Sequence, residues 1–158
     1  MKKLILLISV CASFSAFAQA DNAASYKSAL GVKVSAGVAA SYKTFVTSKN
    51  ALEVQSTFFK QGVRLVGLYE FHSFSFAGAP GLGWYAGPGA HVGFWKKNYR
   101  DKYNSTADIG LDGVLGLDYR IKNAPINLSL DWQPSLSLLG NAGLSPQFGG
   151  LAIRYILD

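Results

Sequence analysis

Block after block of this chain alternates apolar and polar residues with a period of two, and across these blocks the apolar face carries no Asp, Glu, Lys, Arg or His. A period of two is the mark of a β-strand with two unlike faces. The pattern is clearest toward the C-terminus. Leu151, Ile153, Tyr155 and Leu157 alternate with Gly150, Ala152, Arg154 and Ile156; Ile126, Leu128, Leu130 and Trp132 with Asn127, Ser129, Asp131 and Gln133. Ile109, Leu111, Leu115, Leu117 and Tyr119 lie opposite Gly110, Asp112, Gly116, Asp118 and Arg120.

Upstream, Trp84, Ala86, Ala90, Val92 and Phe94 oppose Gly83, Tyr85, Gly87, Gly89, His91 and Gly93. Val63, Leu65, Tyr69 and Phe71 oppose Arg64, Val66, Leu68, Glu70 and His72, and Leu52, Val54 and Phe58 oppose Glu53, Gln55 and Thr57. The stretch from Tyr26 to Val46 reads as one long strand or as a hairpin turning near Ser35-Ala36-Gly37. Single-chain bacterial barrels hold an even number of strands, so the hairpin is preferred. The expected fold is all-β, an eight-stranded antiparallel up-and-down transmembrane β-barrel. Its linkers fall at 35–37, 47–49, 60–62, 73–81, 96–106, 122–125 and 139–147.

The N-terminus predicts an address. Lys2 and Lys3 precede an apolar run from Leu4 to Val10 with Cys11, Phe14 and Phe17, and Ala18-Gln19-Ala20 supplies a small-x-small cleavage pattern. This describes a secretory signal peptide over residues 1–20, with the barrel domain over 21–158. Val10 stands where a lipobox needs a small residue, so a lipoprotein is the weaker reading. Removing twenty of the 158 residues leaves 138, takes away the only cysteine, and lowers the net charge from +6 to +4 as two lysines leave. Neither a disulfide nor a thiolate metal site is then open to the mature chain. The modest charge, without a basic stripe, argues against nucleic acid as a partner. After residue 20 no apolar run is long enough for a helical membrane span.

Which face lines the barrel follows from side-chain size. The apolar face carries Tyr42, Phe58, Tyr69, Phe71, Trp84, Phe94, Tyr119, Trp132 and Tyr155. An eight-stranded interior is only just wide enough to be filled by side chains, and so many rings would crowd it. The other face mixes long charged groups with many glycines, the large-and-small alternation a narrow lumen needs. Polar-in, apolar-out is therefore expected, with Lys33, Lys43, Arg64, Arg120 and Arg154 balancing Glu53, Glu70, Asp112, Asp118 and Asp131 in a plugged lumen. Pro88 lacks an N–H and is expected to mark a bulge.

The strand texts Leu68-Tyr69-Glu70-Phe71-His72, Trp84-Tyr85-Ala86-Gly87-Pro88-Gly89-Ala90-His91-Val92-Gly93, Ile109 to Tyr119 and Ala124 to Pro134 resemble a family of small outer-membrane β-barrel proteins of the Bacteroidota. The resemblance covers roughly Leu30 to Tyr155. It implies a porin-like small barrel in the bacterial outer membrane and carries over no catalytic residue. The chain departs from outer-membrane barrels in ending Tyr155-Ile156-Leu157-Asp158 instead of on an aromatic residue.

Other motifs are weaker. Glu70, His72 and His91 share the lumen face and suggest a metal or acid/base site, against the plainer reading of a hydrogen-bonded cluster. Ser73, Ser75 and His72 fall near a turn assigned to the periplasmic side, whereas barrel hydrolases and acyltransferases work at the outer rim. Gly87-Pro88-Gly89 begins a GxGxxG pattern, but Val92 occupies its third glycine position. The basic, aromatic loop with Lys96, Lys97, Tyr99, Arg100, Lys102 and Tyr103 is read as a surface contact for lipopolysaccharide or surface polysaccharide, or as an ordinary solvated loop. The resulting expectation is a monomeric, non-enzymatic structural or surface-interaction barrel, without cofactor or metal, surrounded by outer-membrane lipid. A lipid-modifying barrel enzyme and a soluble periplasmic lipid-binding barrel are the alternatives.

Overall fold

Every connection between neighbouring strands is antiparallel in the computed structural model, which describes residues 26–74, 79–96, 107–139, 142–146 and 148–157. The strands are β1 (Ser28–Val34), β2 (Val38–Phe45), β3 (Asn50–Phe58), β4 (Gly62–Ser73), β5 (Leu82–Trp95), β6 (Ala107–Arg120), β7 (Ile126–Trp132), β8 (Ser135–Leu139), β9 (Gly143–Ser145) and β10 (Gly150–Ile156). From β1 to β7 each strand pairs with the next in sequence, β8 pairs with β6 and β9 with β8, and β10 pairs with both β7 and β1, so the sheet closes. The proposed signal peptide and all of the 96–106 loop except Lys96 lie outside the described residues.

These ten strands make eight staves. β7 and β8 face the same partner in one register, since Leu115 pairs with Trp132 and Asp112 with Ser135. Pro134 falls between β7 and β8 without shifting their register against β6. The Gly113 N–H donates to the Pro134 carbonyl at 2.9 Å, so the proline takes part in the ladder as an acceptor. Part of the expected loop at 139–147 is strand β9, paired with β8. The stretch from Tyr26 to Val46 is a hairpin, with Val34 opposite Val38.

Burial follows the period of two. Among the described residues twenty polar or charged side chains are buried against ten apolar ones, while Leu30, Val32, Val54, Phe58, Leu111, Leu130, Ile153 and Tyr155 stand exposed. The polar face therefore lines the barrel and the apolar face forms its exterior. Tyr42, Tyr69, Phe71, Trp84, Tyr119 and Tyr155 sit outside in the half nearer the chain termini, and Phe58 and Phe94 at the opposite end.

Pro88 breaks the β4–β5 ladder without the expected bulge. Leu68 pairs with Gly89 and Phe71 with Ala86, so the register is the same on both sides of the gap. The Lys96 N–H donates to the Gln61 carbonyl, and hydrogen-bonded pairs recur every second residue. Tyr69 thus faces Pro88 where its carbonyl would accept an N–H that proline does not have. True register shifts lie at Ile109/Gly110 against β8, and between the β7–β10 pairing and the β8–β9 pairing.

Replacing Pro88 with alanine returns the missing donor. A recovered bond to a desolvated carbonyl is worth about 1–3 kcal/mol. Losing the proline's restriction of the unfolded chain costs about 0.4–1 kcal/mol. Pro88→Ala should therefore raise unfolding stability by about 1 kcal/mol in urea titration of the folded protein, and a fall would contradict this account of the gap.

Candidate functional site

An eight-stranded lumen is narrow, so a long side chain on one strand can contact its counterpart two strands away only if the strand between offers no side chain there. The chain meets this condition with glycines held in register between large partners. Gly31 pairs with Arg154 on one side and Ser41 on the other. Gly116 pairs with Tyr85 and Asp131, and Gly110 with His91 and Ser137. A Cβ on Gly116 would lie 2.7 Å from the Tyr85 ring and from the Asp131 Cβ, and one on Gly110 would meet the His91 ring at 2.5 Å.

Across these gaps the charged groups join. Arg154 Nε donates to Ser41 Oγ at 2.7 Å, Nη1 to Ser129 Oγ at 2.7 Å and to Asn127 Oδ1 at 3.2 Å, and Nη2 to Glu53 Oε1 at 2.7 Å. Lys43 Nζ lies 2.8 Å from Glu70, 3.3 Å from Glu53 and 3.5 Å from Asp118. Ser41 and Gln55 also donate to Glu53, and Asn127 donates to Asp118. The Tyr85 hydroxyl donates to Asp131 at 2.8 Å, and Lys33 Nζ approaches the other oxygen of that carboxylate at 2.7 Å.

Toward the termini the charges rest on rings. Lys43 Nζ sits 4.1 Å above the Tyr85 ring, and the His72 imidazole stacks on Tyr85 at 5.0 Å and on Phe74 at 5.5 Å. Phe45 meets His72 edge-on and Tyr26 at a right angle. Burial, reinforced by the Asp118 carboxylate 3.4 Å away, pushes the Tyr26 phenol well above its ordinary range, so it stays a neutral donor.

At the opposite end Arg64 Nη2 bonds Asp112 at 2.7 Å and also donates to Ser135. His91 Nδ1 is 2.8 Å from Asp112, and its Nε2 is 3.4 Å from Asp108. Val66, Leu68, Tyr85 and Val114 form a small apolar cluster within the interior.

The expected network thus falls into two groups. Lys33, Lys43, Glu53, Glu70, His72, Asp118, Asp131 and Arg154 occupy the half toward the termini and the middle, and Arg64, His91 and Asp112 the other end. Arg120 differs from the rest, half-buried at the end of β6 instead of fully buried. Asp108, absent from the sequence-based set, is buried beside His91. The expected five-against-five balance is accordingly revised. Six acids (Glu53, Glu70, Asp108, Asp112, Asp118, Asp131) are buried against four Lys and Arg (Lys33, Lys43, Arg64, Arg154). The histidines adjoin this surplus, His72 lying 2.9 Å from Glu70 and His91 between Asp108 and Asp112.

The structure does not bring His91 to Glu70 and His72, and among the described residues no group of three could hold a metal ion. Nor do His91, Ser135 and Asp112 make a hydrolytic relay. Ser135 Oγ, at 3.5 Å, and Asp112 both face Nδ1, whereas a relay needs the hydroxyl on the opposite nitrogen from the acid. Ser75 and the loop residues Lys97, Tyr99, Arg100, Lys102 and Tyr103 lie outside the described residues. Tyr85 was legible only as one of the lumen-face residues, and its reach to Asp131 depends on cross-strand register. Comparison with protein-family models, with curated proteins and with solved structures returns no match.

Lys43 faces three carboxylates at once. Removing one partner of a buried charge set costs about 3–5 kcal/mol because the others stay buried and uncompensated. Lys43→Met should lower unfolding stability by that amount in denaturant titration. A change below 1 kcal/mol would mean the interior is more hydrated than its geometry implies.

Proposed function

We infer that this protein is a small outer-membrane β-barrel whose lumen is plugged by its own side chains, and that it acts in envelope structure or surface interaction without catalysing a reaction. The single observation carrying the reading is the inverted burial, with the ionic groups inside and a continuous belt of exposed Leu, Ile, Val and aromatic residues outside. In water such a belt would drive aggregation, since monomeric soluble proteins rarely expose apolar patches beyond a few hundred Å². In a bilayer it is the favourable surface, and a closed barrel leaves no strand edge unpaired. The rings near both ends of the wall suit the two interfaces of a membrane. β5 and β6 are 14 residues each. At about 3.3 Å per residue and a tilt of about 40° they reach across a hydrocarbon core of about 30 Å.

The signal-peptide pattern of residues 1–20 supports export, and the resemblance to small porin-like barrels of the Bacteroidota supports the same address. The plug reading is supported by side chains that reach over intervening strands inside the barrel, such as Tyr85 to Asp131 and Arg154 to Glu53. The serine–histidine–acid geometry described above offers no support for a lipid-modifying enzyme. Lipid would surround the barrel, and surface polysaccharide would meet its outer rim.

Cell fractionation should recover the protein with outer membranes, soluble only in detergent and migrating differently on gels before and after heating. Recovery from the periplasm without detergent would overturn the membrane reading. In planar bilayers the folded protein should show little or no single-channel conductance. Tyr85→Ala combined with Arg154→Ala should open measurable current, and steady conductance in the unaltered protein would overturn the plug.

A further inference from the structure

On the outer wall, over β3, β4 and β5, two adjoining depressions form one apolar groove. Val54, Leu65, Gly67, Ala90 and Val92 line the first, and Leu52, Tyr69 and Pro88 line the second, which shares Val54 and Gly67. Gly67 lies between Val54 and Ala90 in the register, and all three face outward. A Cβ on Gly67 would meet no heavy atom within 4 Å, so the floor of the groove is open there. Around it the wall presents exposed Leu, Val and aromatic side chains, and the missing side chain leaves a hollow among them. An unfilled hollow forfeits dispersion contacts that a flexible apolar chain can supply.

The end of the groove away from the termini carries positive charge. There the exposed rings of Phe58 and Phe94 lie on either side of Val63 in the register. Lys60 and Lys96 follow these rings by two residues each, and both are exposed. Lys60 precedes Gln61, whose carbonyl accepts from the Lys96 N–H at 2.8 Å, so the two lysines flank a single residue. No carboxylate of the described residues pairs with either ammonium. From Val63 to Tyr69 the chain advances six residues. That is about 20 Å along the strand and about 15 Å along the membrane normal at a tilt of about 40°. The groove therefore runs from the ring level through about half of a hydrocarbon core of about 30 Å, the depth of one leaflet.

We propose that this groove seats one acyl chain of a lipid with an anionic phosphate headgroup, which Lys60 and Lys96 hold at the rim. The chain fills the hollow at Gly67, and the two ammonium groups supply the complementary charge where a headgroup of that leaflet lies. A second copy of the protein suits the groove less well. Two barrels packed there about an axis along the membrane normal would bring Lys60 and Lys96 of both copies to the same rim, like charge against like. The proposal rests on the reading of the protein as a membrane barrel and adds to it a preferred lipid at a defined place on the wall.

The test uses the mature protein folded in a non-ionic detergent. Phosphatidylglycerol and phosphatidylcholine with the same acyl chains are titrated in competition, and retained lipid is read by native mass spectrometry. One lipid per barrel is expected, with phosphatidylglycerol preferred about tenfold, as two lysines beside an anionic headgroup predict. Lys60→Gln combined with Lys96→Gln should abolish the preference. Gly67→Leu should fill the groove and weaken retention of both lipids about tenfold, and its side chain enters open space. Heat-modifiable migration shows which variants fold, and Ala90→Leu replaces Gly67→Leu if that variant does not. Equal retention of the two lipids by the unaltered protein, a preference that survives loss of both lysines, or retention unchanged by the filled groove would overturn the proposal. A dimer that Gly67→Leu dissociates would also overturn it and assign the groove to a second copy. Any of these results in a protein that fractionates with outer membranes removes the lipid site and leaves the membrane reading standing; recovery from the periplasm removes both.

Discussion

The Arg154 guanidinium holds the barrel at its seam. It projects from β10, crosses β1 at Gly31 and reaches Ser41 on β2 and Glu53 on β3, while its other side bonds Asn127 and Ser129 on β7. β1 and β10 are the strands whose pairing closes the wall, and they are also the most distant in sequence. A planar group with several fixed donors is suited to satisfying acceptors on several strands at once. Lys43, a point charge among three carboxylates, completes the set from β2.

Ionic groups of this kind are poor sources of net stability, because desolvation offsets much of their attraction. What they offer is selectivity. A strand slipped by one residue would turn its charges to the outside and its leucines inward, leaving both sets without partners. The wall supplies the cohesion through its closed ladder, and the interior discriminates between registers. The two prolines fit this division. Pro88 and Pro134 interrupt donors in the wall, yet neither shifts the register of β4 against β5 or of β7 and β8 against β6.

Much of the architecture was legible as text. The alternation of Leu128, Leu130 and Trp132 with Asn127, Ser129 and Asp131 identifies a strand and its two faces, because the side-chain period of a strand is fixed by backbone geometry. Strand parity then favoured a hairpin between Tyr26 and Val46. What failed were local readings at prolines and ends. Pro88 looked like a bulge because its missing donor is visible in sequence, while the unbroken register of β4 and β5 across it is not. Asp108 went unread because it stands at the very start of β6, where too few residues precede it to declare a face.

The sequence by itself determined the strands, their two faces and, through ring size against lumen width, which face turns inward. Those depend on period, volume and charge, all of which are local. Only the tertiary structure decided which charges meet, because pairing depends on the register between strands far apart in the chain. It is register that places Gly31 between Arg154 and Ser41, and Gly116 between Tyr85 and Asp131. It also sets His91 beside Asp108 and Asp112 and apart from Glu70 and His72. The groove on the outer wall belongs to the same class of fact, since Val54, Gly67 and Ala90 become neighbours only when β3, β4 and β5 pair.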